Sequence, residues 1–172
     1  EVRVVDSNNR PLPAGEEGML MARSCSTFVG YLKRPDWYNH DAEGWFDTGD
    51  LARIDGESYI RLTGRSKDVI IRGGENIPVV EIEGLLFRHP DIQDVAIVGV
   101  PDERLGERAC AFIVPKPGRD VGLRDVVAFL EGHRMARQYL PERVEIVGEL
   151  PLTPSGKVQK FKLREIAVVL PA

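Results

Sequence analysis

Apolar and polar positions change rhythm along this chain. In the first third the apolar runs are short and broken by turn residues. Val2-Arg3-Val4-Val5 alternates weakly, and Gly18–Arg23 reads as a strand. Between them, Asn8-Asn9-Arg10-Pro11-Leu12-Pro13-Ala14-Gly15 is turn chemistry. Leu51–Ile54 and Tyr59–Leu62 flank Asp55-Gly56, the strongest short hairpin signal present. This pattern predicts a small β-barrel or sheet.

After Gly64 the rhythm shifts. Asp68–Ile71 is a short apolar strand that Gly73-Gly74 breaks. Val79–Phe87 carries apolar residues at 79, 82, 85 and 86, the spacing of an amphipathic helix, and ends near His89-Pro90. Ile92–Val100 and Ala109–Val114 read as core strands, and Val144–Val147 as a third. Leu123–Leu130 and Lys160–Val169 read as helices. The expected fold class is α+β: a small β-barrel-like subdomain (1–64), then a compact α+β domain (65–172). That second domain is expected to hold a mostly antiparallel three-stranded sheet with flanking helices.

Composition narrows the function classes. The chain has 172 residues, 42% hydrophobic and 29% charged, with a net charge of −4. This is an ordinary globular balance, too mild to argue for nucleic acid or a membrane surface. No apolar run approaches the roughly 18 residues that span a bilayer. Cys25 and Cys110 lie far apart, which suggests a reducing, cytoplasmic setting rather than a disulfide framework. His40, His89 and His133 show no metal-ligand spacing, and no metal ligand is assigned. The chain begins without Met inside an expected strand, which hints at a piece of something longer. Lys157, Lys160, Lys162 and Arg164 form a basic run that reads either as a solvated helix face or as working cations.

Three segments could carry chemistry. In Gly44-Trp45-Phe46-Asp47-Thr48-Gly49-Asp50, a carboxylate held in a Gly-containing turn could accept two hydrogen bonds from a vicinal diol such as ribose. Asp47 or Asp50 could equally cap a turn. The second runs from Gly64-Arg65-Ser66-Lys67-Asp68 through Gly73-Gly74-Glu75-Asn76 to Glu81-Ile82-Glu83. Arg65 offers a planar fork for phosphate or ribose oxygens, and Gly73-Gly74 could admit a thin ligand close to the backbone. A surface ion-pair cluster with a tight turn is the plain alternative. The third is Pro151-Leu152-Thr153-Pro154-Ser155-Gly156-Lys157-Val158. Lys157 at a loop tip suits charge developing on a phosphoryl or carboxyl oxygen, although an exposed lysine is usually only that. A Walker A loop is excluded. Gly148 has the wrong spacing, and Val158 stands where Ser or Thr would meet Mg²⁺.

Together, in this order and spacing, the segments resemble the adenylate-forming (ANL) superfamily of AMP-forming acyl-CoA synthetases and acid–CoA ligases. Luciferases and peptide-synthetase adenylation domains share the motifs. The resemblance implies an ATP-dependent ligase. A carboxylate attacks the ATP α-phosphate to give an acyl-adenylate and pyrophosphate; coenzyme A thiol then gives acyl-CoA and AMP. It implies Mg²⁺ with the ATP, held mainly by an N-terminal part absent from this chain. It also implies a C-terminal domain that rotates between the half-reactions, and an isolated piece that is inactive. Asp50 then matches the ribose-binding aspartate and Arg65 the arginine that contacts the nucleotide. Lys67 falls at the hinge, and Gly73 and Gly74 in the loop lining the pantetheine tunnel. Lys157 matches the lysine that bridges carboxylate and α-phosphate during adenylation.

The family's Ser/Thr/Gly-rich phosphate loop and its aromatic-Gly-x-Thr-Glu segment do not occur here. Basic residues that many relatives place near the proline before the last strand are replaced by Gln138-Tyr139-Leu140-Pro141-Glu142. Arg104, Arg108, Arg134 or Arg137 are the candidates to hold the coenzyme A phosphates instead. Val158–Arg164 looks most like medium-chain or alicyclic acid–CoA ligases. A carrier-protein-loading adenylation domain, or a non-catalytic module keeping the fold, are the rival readings.

Overall fold

The computed structural model describes residues 1–28, 30, 32–34 and 40–170. The chain divides into two compact units, Glu1–Lys67 and Asp68–Ala172.

The first unit is an antiparallel meander. Its strands β1 (Val2–Val5), β2 (Glu17–Ala22), β3 (Phe46–Ile54) and β4 (Ile60–Arg65) pair in sequence order. The sheet is open, with β1 and β4 as its edges, so the expected barrel does not close. Strand alternation sorts the core. Val4, Leu20 and Ala52 pack together with Leu12 and Ile54, while Val5, Met21 and Trp45 form a second cluster with Met19. The guanidinium carbons of Arg3 and Arg23 lie 4.2 and 4.5 Å from the Trp45 ring. The hairpin at Asp55 is wider than a two-residue turn. The Asp55 carboxylate accepts from the backbone N–H groups of Glu57 and Tyr59, and Ser58, not Gly56, takes positive φ.

The second unit has three layers. Its sheet has five strands: β5 (Ile70–Arg72), β6 (Glu75–Ile77), β7 (Ile92–Asp102), β8 (Gly106–Pro115) and β9 (Arg143–Ile146). The order is β6-β5-β8-β7, with β9 also paired to β8. The expected count was three. The strand expected at Asp68–Ile71 joins this sheet as β5, and β6, three residues long, is too short to show a period. β9 runs parallel to β8, because the chain crosses over through a helix before returning. The long β7–β8 hairpin is apolar on both faces. Val95, Ile97, Ala109, Ala111 and Ile113 meet the buried residues of α1 (Val79–Leu86) and α2 (Leu123–Gly132). Ala96, Val98, Cys110, Phe112 and Val114 meet Leu163 and Ala167 of α3 (Lys160–Val169). Helices on both faces explain why these two strands read as continuous apolar runs rather than alternating ones.

Candidate active-site loops

Asp50 and Arg65 are cross-strand partners on β3 and β4. Arg65 Nε donates to Asp50 Oδ1 at 3.1 Å, with the arginine 63% exposed and the aspartate 25%. Thr48-Gly49-Asp50 was expected to be a turn but is an irregular stretch inside β3, where the register against β2 shifts. Gly49 has φ +73°, which disfavours any side chain there. The Asp47 carboxylate accepts from the Gly49 N–H at 2.8 Å, so Asp47 is the residue that caps. The Thr48 hydroxyl donates to the Leu20 carbonyl and accepts from the Asp50 N–H. Ser66 Oγ donates to the Gly49 carbonyl at 3.1 Å. The backbone at Asp50 is thus held from several sides, while its carboxylate stays partly open beside Arg65. Lys67 is exposed, in a single 3₁₀ turn (Ser66–Asp68), and is the last residue of the first unit.

Gly73 and Gly74 are the two central residues of the β5–β6 hairpin, flanked by the pair Arg72↔Glu75. Their φ values, +60° and +88°, are those of a tight turn suited to sheet twist. A Cβ on Gly74 would meet nothing within 4 Å, and one on Gly73 would make ordinary contact with Leu105. Backbone conformation, not crowding, is therefore what selects glycine here. The hairpin is tied down around its base. The Gly73 N–H donates to the Leu105 carbonyl at 2.8 Å, and the Ile71 N–H to Glu107 Oε2 at 2.9 Å. Arg72 donates through Nη2 and Nε to both Glu142 carboxylate oxygens, at 2.8 and 3.1 Å, and through Nη1 to the Gln138 carbonyl. Glu142 raises the Arg72 pKa above its ordinary value, chiefly through these hydrogen bonds. At the adjoining β7–β8 tip, backbone N–H donation from Leu105 and Arg104, with Arg108 alongside, lowers the Asp102 pKa.

Lys157 stands exposed at the end of a self-braced loop. Leu152 and Val158 bridge across the loop base, and the Gln159 N–H donates to the Pro151 carbonyl at 2.8 Å. Thr153 brackets the lysine. Its N–H donates to the Lys157 carbonyl at 2.8 Å, and its Oγ1 accepts from the Lys157 N–H at 3.0 Å. Gly156 turns the chain with φ +81°. The basic run splits on inspection: Lys160 pairs with Glu83 and Arg164 with Asp68, both at distances under 3 Å. The Lys157 ammonium has no ion pair among the described residues, which leaves a charge presented to solvent on a fixed backbone.

Two of these contributors escaped the sequence. Thr153 sits four residues before Lys157, a spacing at which a hydroxyl can accept a backbone N–H; that signal was present but unused. The Arg72–Glu142 pair spans 70 residues and leaves no local trace. Of the four arginines suggested for coenzyme A, Arg108 is paired with Asp102, and Arg137 lies 3.9 Å from Glu131 at 91% exposure. Arg134 takes φ +60° just after α2. Among the described residues no group of three or more His, Cys, Asp or Glu side chains is placed to hold a metal ion. Nor does any described helix have the length and apolarity to cross a membrane.

Comparison with known proteins then decides the family. Residues 81–157 match the AMP-binding enzyme C-terminal domain. Over 96% of its length the chain is 46% identical to the medium-chain fatty-acid–CoA ligase of Escherichia coli K12 and 48% identical to its enterobactin synthase component E. The chain belongs to the adenylate-forming superfamily. It spans 30% and 31% of the length of those two relatives. The ATP-bound crystal structure of MatB from Rhodopseudomonas palustris matches with a TM-score of 0.90 and 34% identity, over 96% of this chain and 33% of that one. The α+β architecture is therefore that of known members of the superfamily.

Proposed function

We propose that this chain is part of an AMP-forming carboxylic acid–CoA ligase. Residues 1–64 would complete an N-terminal AMP-binding domain, and residues 65–172 would form the mobile C-terminal domain. The observation that carries the reading is Lys157: an exposed ammonium without an ion pair among the described residues, on a loop whose backbone is braced by Thr153. Its role is to neutralise charge as the α-phosphorus becomes five-coordinate, a service a preorganised cation performs well. Asp50, beside Arg65, receives the ribose hydroxyls. Gly73-Gly74 lines the path of the pantetheine thiol. Lys67 is the hinge that exchanges the Lys157 face for the Gly74 face between half-reactions. ATP and coenzyme A are substrates, and Mg²⁺ accompanies the ATP on groups outside this chain. Two free thiols, Cys25 and Cys110, fit a cytoplasmic setting.

The test uses the complete enzyme with ATP, a panel of carboxylic acids and coenzyme A. Acid-dependent pyrophosphate release followed by thioester and AMP formation supports the ligase reading. A second reading is an adenylating enzyme that loads a pantetheinylated carrier protein. It is favoured by relatives whose names include AMP ligases rather than CoA ligases, such as the vibriobactin-specific 2,3-dihydroxybenzoate-AMP ligase of Vibrio cholerae, 39% identical. Thioester formation on a carrier protein but not on coenzyme A would establish it. Absence of acid-dependent pyrophosphate release would defeat both.

A further inference from the structure

Glu83, of the Glu81-Ile82-Glu83 motif, has no role in the proposed reaction beyond its pairing with Lys160. It lies on α1, yet its Oε1 accepts two hydrogen bonds from outside that helix. One comes from the Ile97 N–H at 2.7 Å, the other from Lys160 Nζ at 2.7 Å. β7 is an edge of the sheet, so the Ile97 N–H needs such a partner. Both side chains of the ion pair are largely buried, Lys160 at 17% exposure and Glu83 at 16%.

Lys160 is the first residue of α3. A cation there opposes the helix dipole, and α3 has neither a side-chain cap nor an acidic residue in its first turn. The local sequence thus disfavours this lysine at this place; its partner 77 residues earlier accounts for it. One carboxylate oxygen joins α1, the edge of β7 and the start of α3. The start of α3 is three residues from Lys157, and the intervening Val158 and Gln159 are already tied to Leu152 and Pro151.

We propose that Glu83 and Lys160 form the positioning pair for Lys157, fixing where α3 begins and so where the catalytic loop ends. This rests on the ligase reading above. The pair touches no substrate; it acts through the lysine three residues away. Its effect should fall on adenylation and not on thioester formation.

The experiment measures both half-reactions in the complete enzyme: acid-dependent ATP–pyrophosphate exchange, and thioester formation from supplied acyl-adenylate and coenzyme A. Glu83→Gln and Lys160→Met should slow exchange by about ten- to a hundredfold and leave thioester formation within about twofold. Lys160→Arg should restore most of the exchange rate. Equal loss of both half-reactions, or unchanged exchange in both variants, overturns the proposal. Should Glu83→Gln lose its thermal transition, Lys160→Met carries the test, since it leaves Glu83 to accept from Ile97. Lys157→Ala is the reference. If it stops exchange while the pair variants do not, only the positioning proposal fails. If it leaves exchange intact, the role of Lys157 falls and the positioning proposal falls with it.

Discussion

The Lys157 loop and the Gly73-Gly74 hairpin belong to one unit but are stabilised in opposite ways. In the hairpin, the side chains that matter lie at its base: Arg72 against Glu142, and Glu107 against the Ile71 N–H. Its tip is bare backbone with positive φ. In the Lys157 loop, the backbone is consumed by Thr153, and the tip carries a side chain. On the proposed reading, one loop presents a path and the other a charge. The difference teaches that a lysine and a pair of glycines need different supports. A charge requires a fixed root and a free end, and a path requires a fixed shape and no end at all.

The comparison can be broken first at Lys157. Lys157→Ala in the complete enzyme should lower the adenylation rate by roughly two to three decades, about 3–4 kcal/mol, while thioester formation from supplied acyl-adenylate persists. Single-turnover measurement of each half-reaction is the check, and parallel loss of both would mean that the two loops do not divide the work. Gly74→Val tests the other side. Forcing a β-branched residue to φ +88° should cost about 1–2 kcal/mol of unit stability, and should slow thioester formation more than adenylation. Thermal melting alongside the two half-reactions reads both effects.

A smaller effect is expected at Thr153. Thr153→Val removes the acceptor for the Lys157 N–H and should slow adenylation about tenfold, whereas Thr153→Ser should keep most of it. Similar behaviour of Val and Ser would show that the hydroxyl does not brace the lysine. The smallest effect concerns the sheet on which both loops stand. Burial pushes the Cys110 thiol up to about 12 from an ordinary 9.0. The raised value means that the unfolded chain loses this proton first. Its contribution to stability is therefore complete below pH 9 and declines between pH 9 and 12. Cys110→Ser or Cys110→Ala variants compared by denaturant melts across that window should lose this part of the pH dependence. At pH 8 the native protein should be labelled by a thiol reagent at Cys25, which is exposed, far faster than at Cys110.

Legibility in the sequence followed the range of the interaction that built each element. β7 and β8 were readable because two buried faces leave an unbroken apolar run. α3 was readable from Lys160 to Val169, even though its first residue is unfavourable for a helix start. The strand at Asp68–Ile71 was read but not joined to the sheet, β6 was missed because three residues carry no period, and the parallel pairing of β9 depends on a crossover that no local pattern encodes. The four strands of the first unit were each readable, but whether their sheet closes depends on pairing between its edges, which no local pattern encodes. At the site, Asp50 and Arg65 were named separately, fifteen residues apart. Their pairing needed the β3–β4 register, which a strand irregularity shifts between Leu51 and Ala52. Lys160 stood in a basic run with Lys157, and only the distant Glu83 separates the lysine that is paired from the one that faces solvent.

The Asp50–Arg65 contact has a further consequence for any hydroxylated ligand that comes to Asp50. The carboxylate it meets already has a donor on one oxygen, so arrival is an exchange of partners rather than a capture. Arg65 is mostly exposed, and giving up such a contact costs little. A ligand carrying both hydroxyls and an anionic group could relieve the aspartate of its arginine and engage the arginine in the same event. A ligand with hydroxyls alone would leave that guanidinium facing water. On the proposed reading, a pair of neighbouring strands would then prefer a nucleotide to a plain sugar.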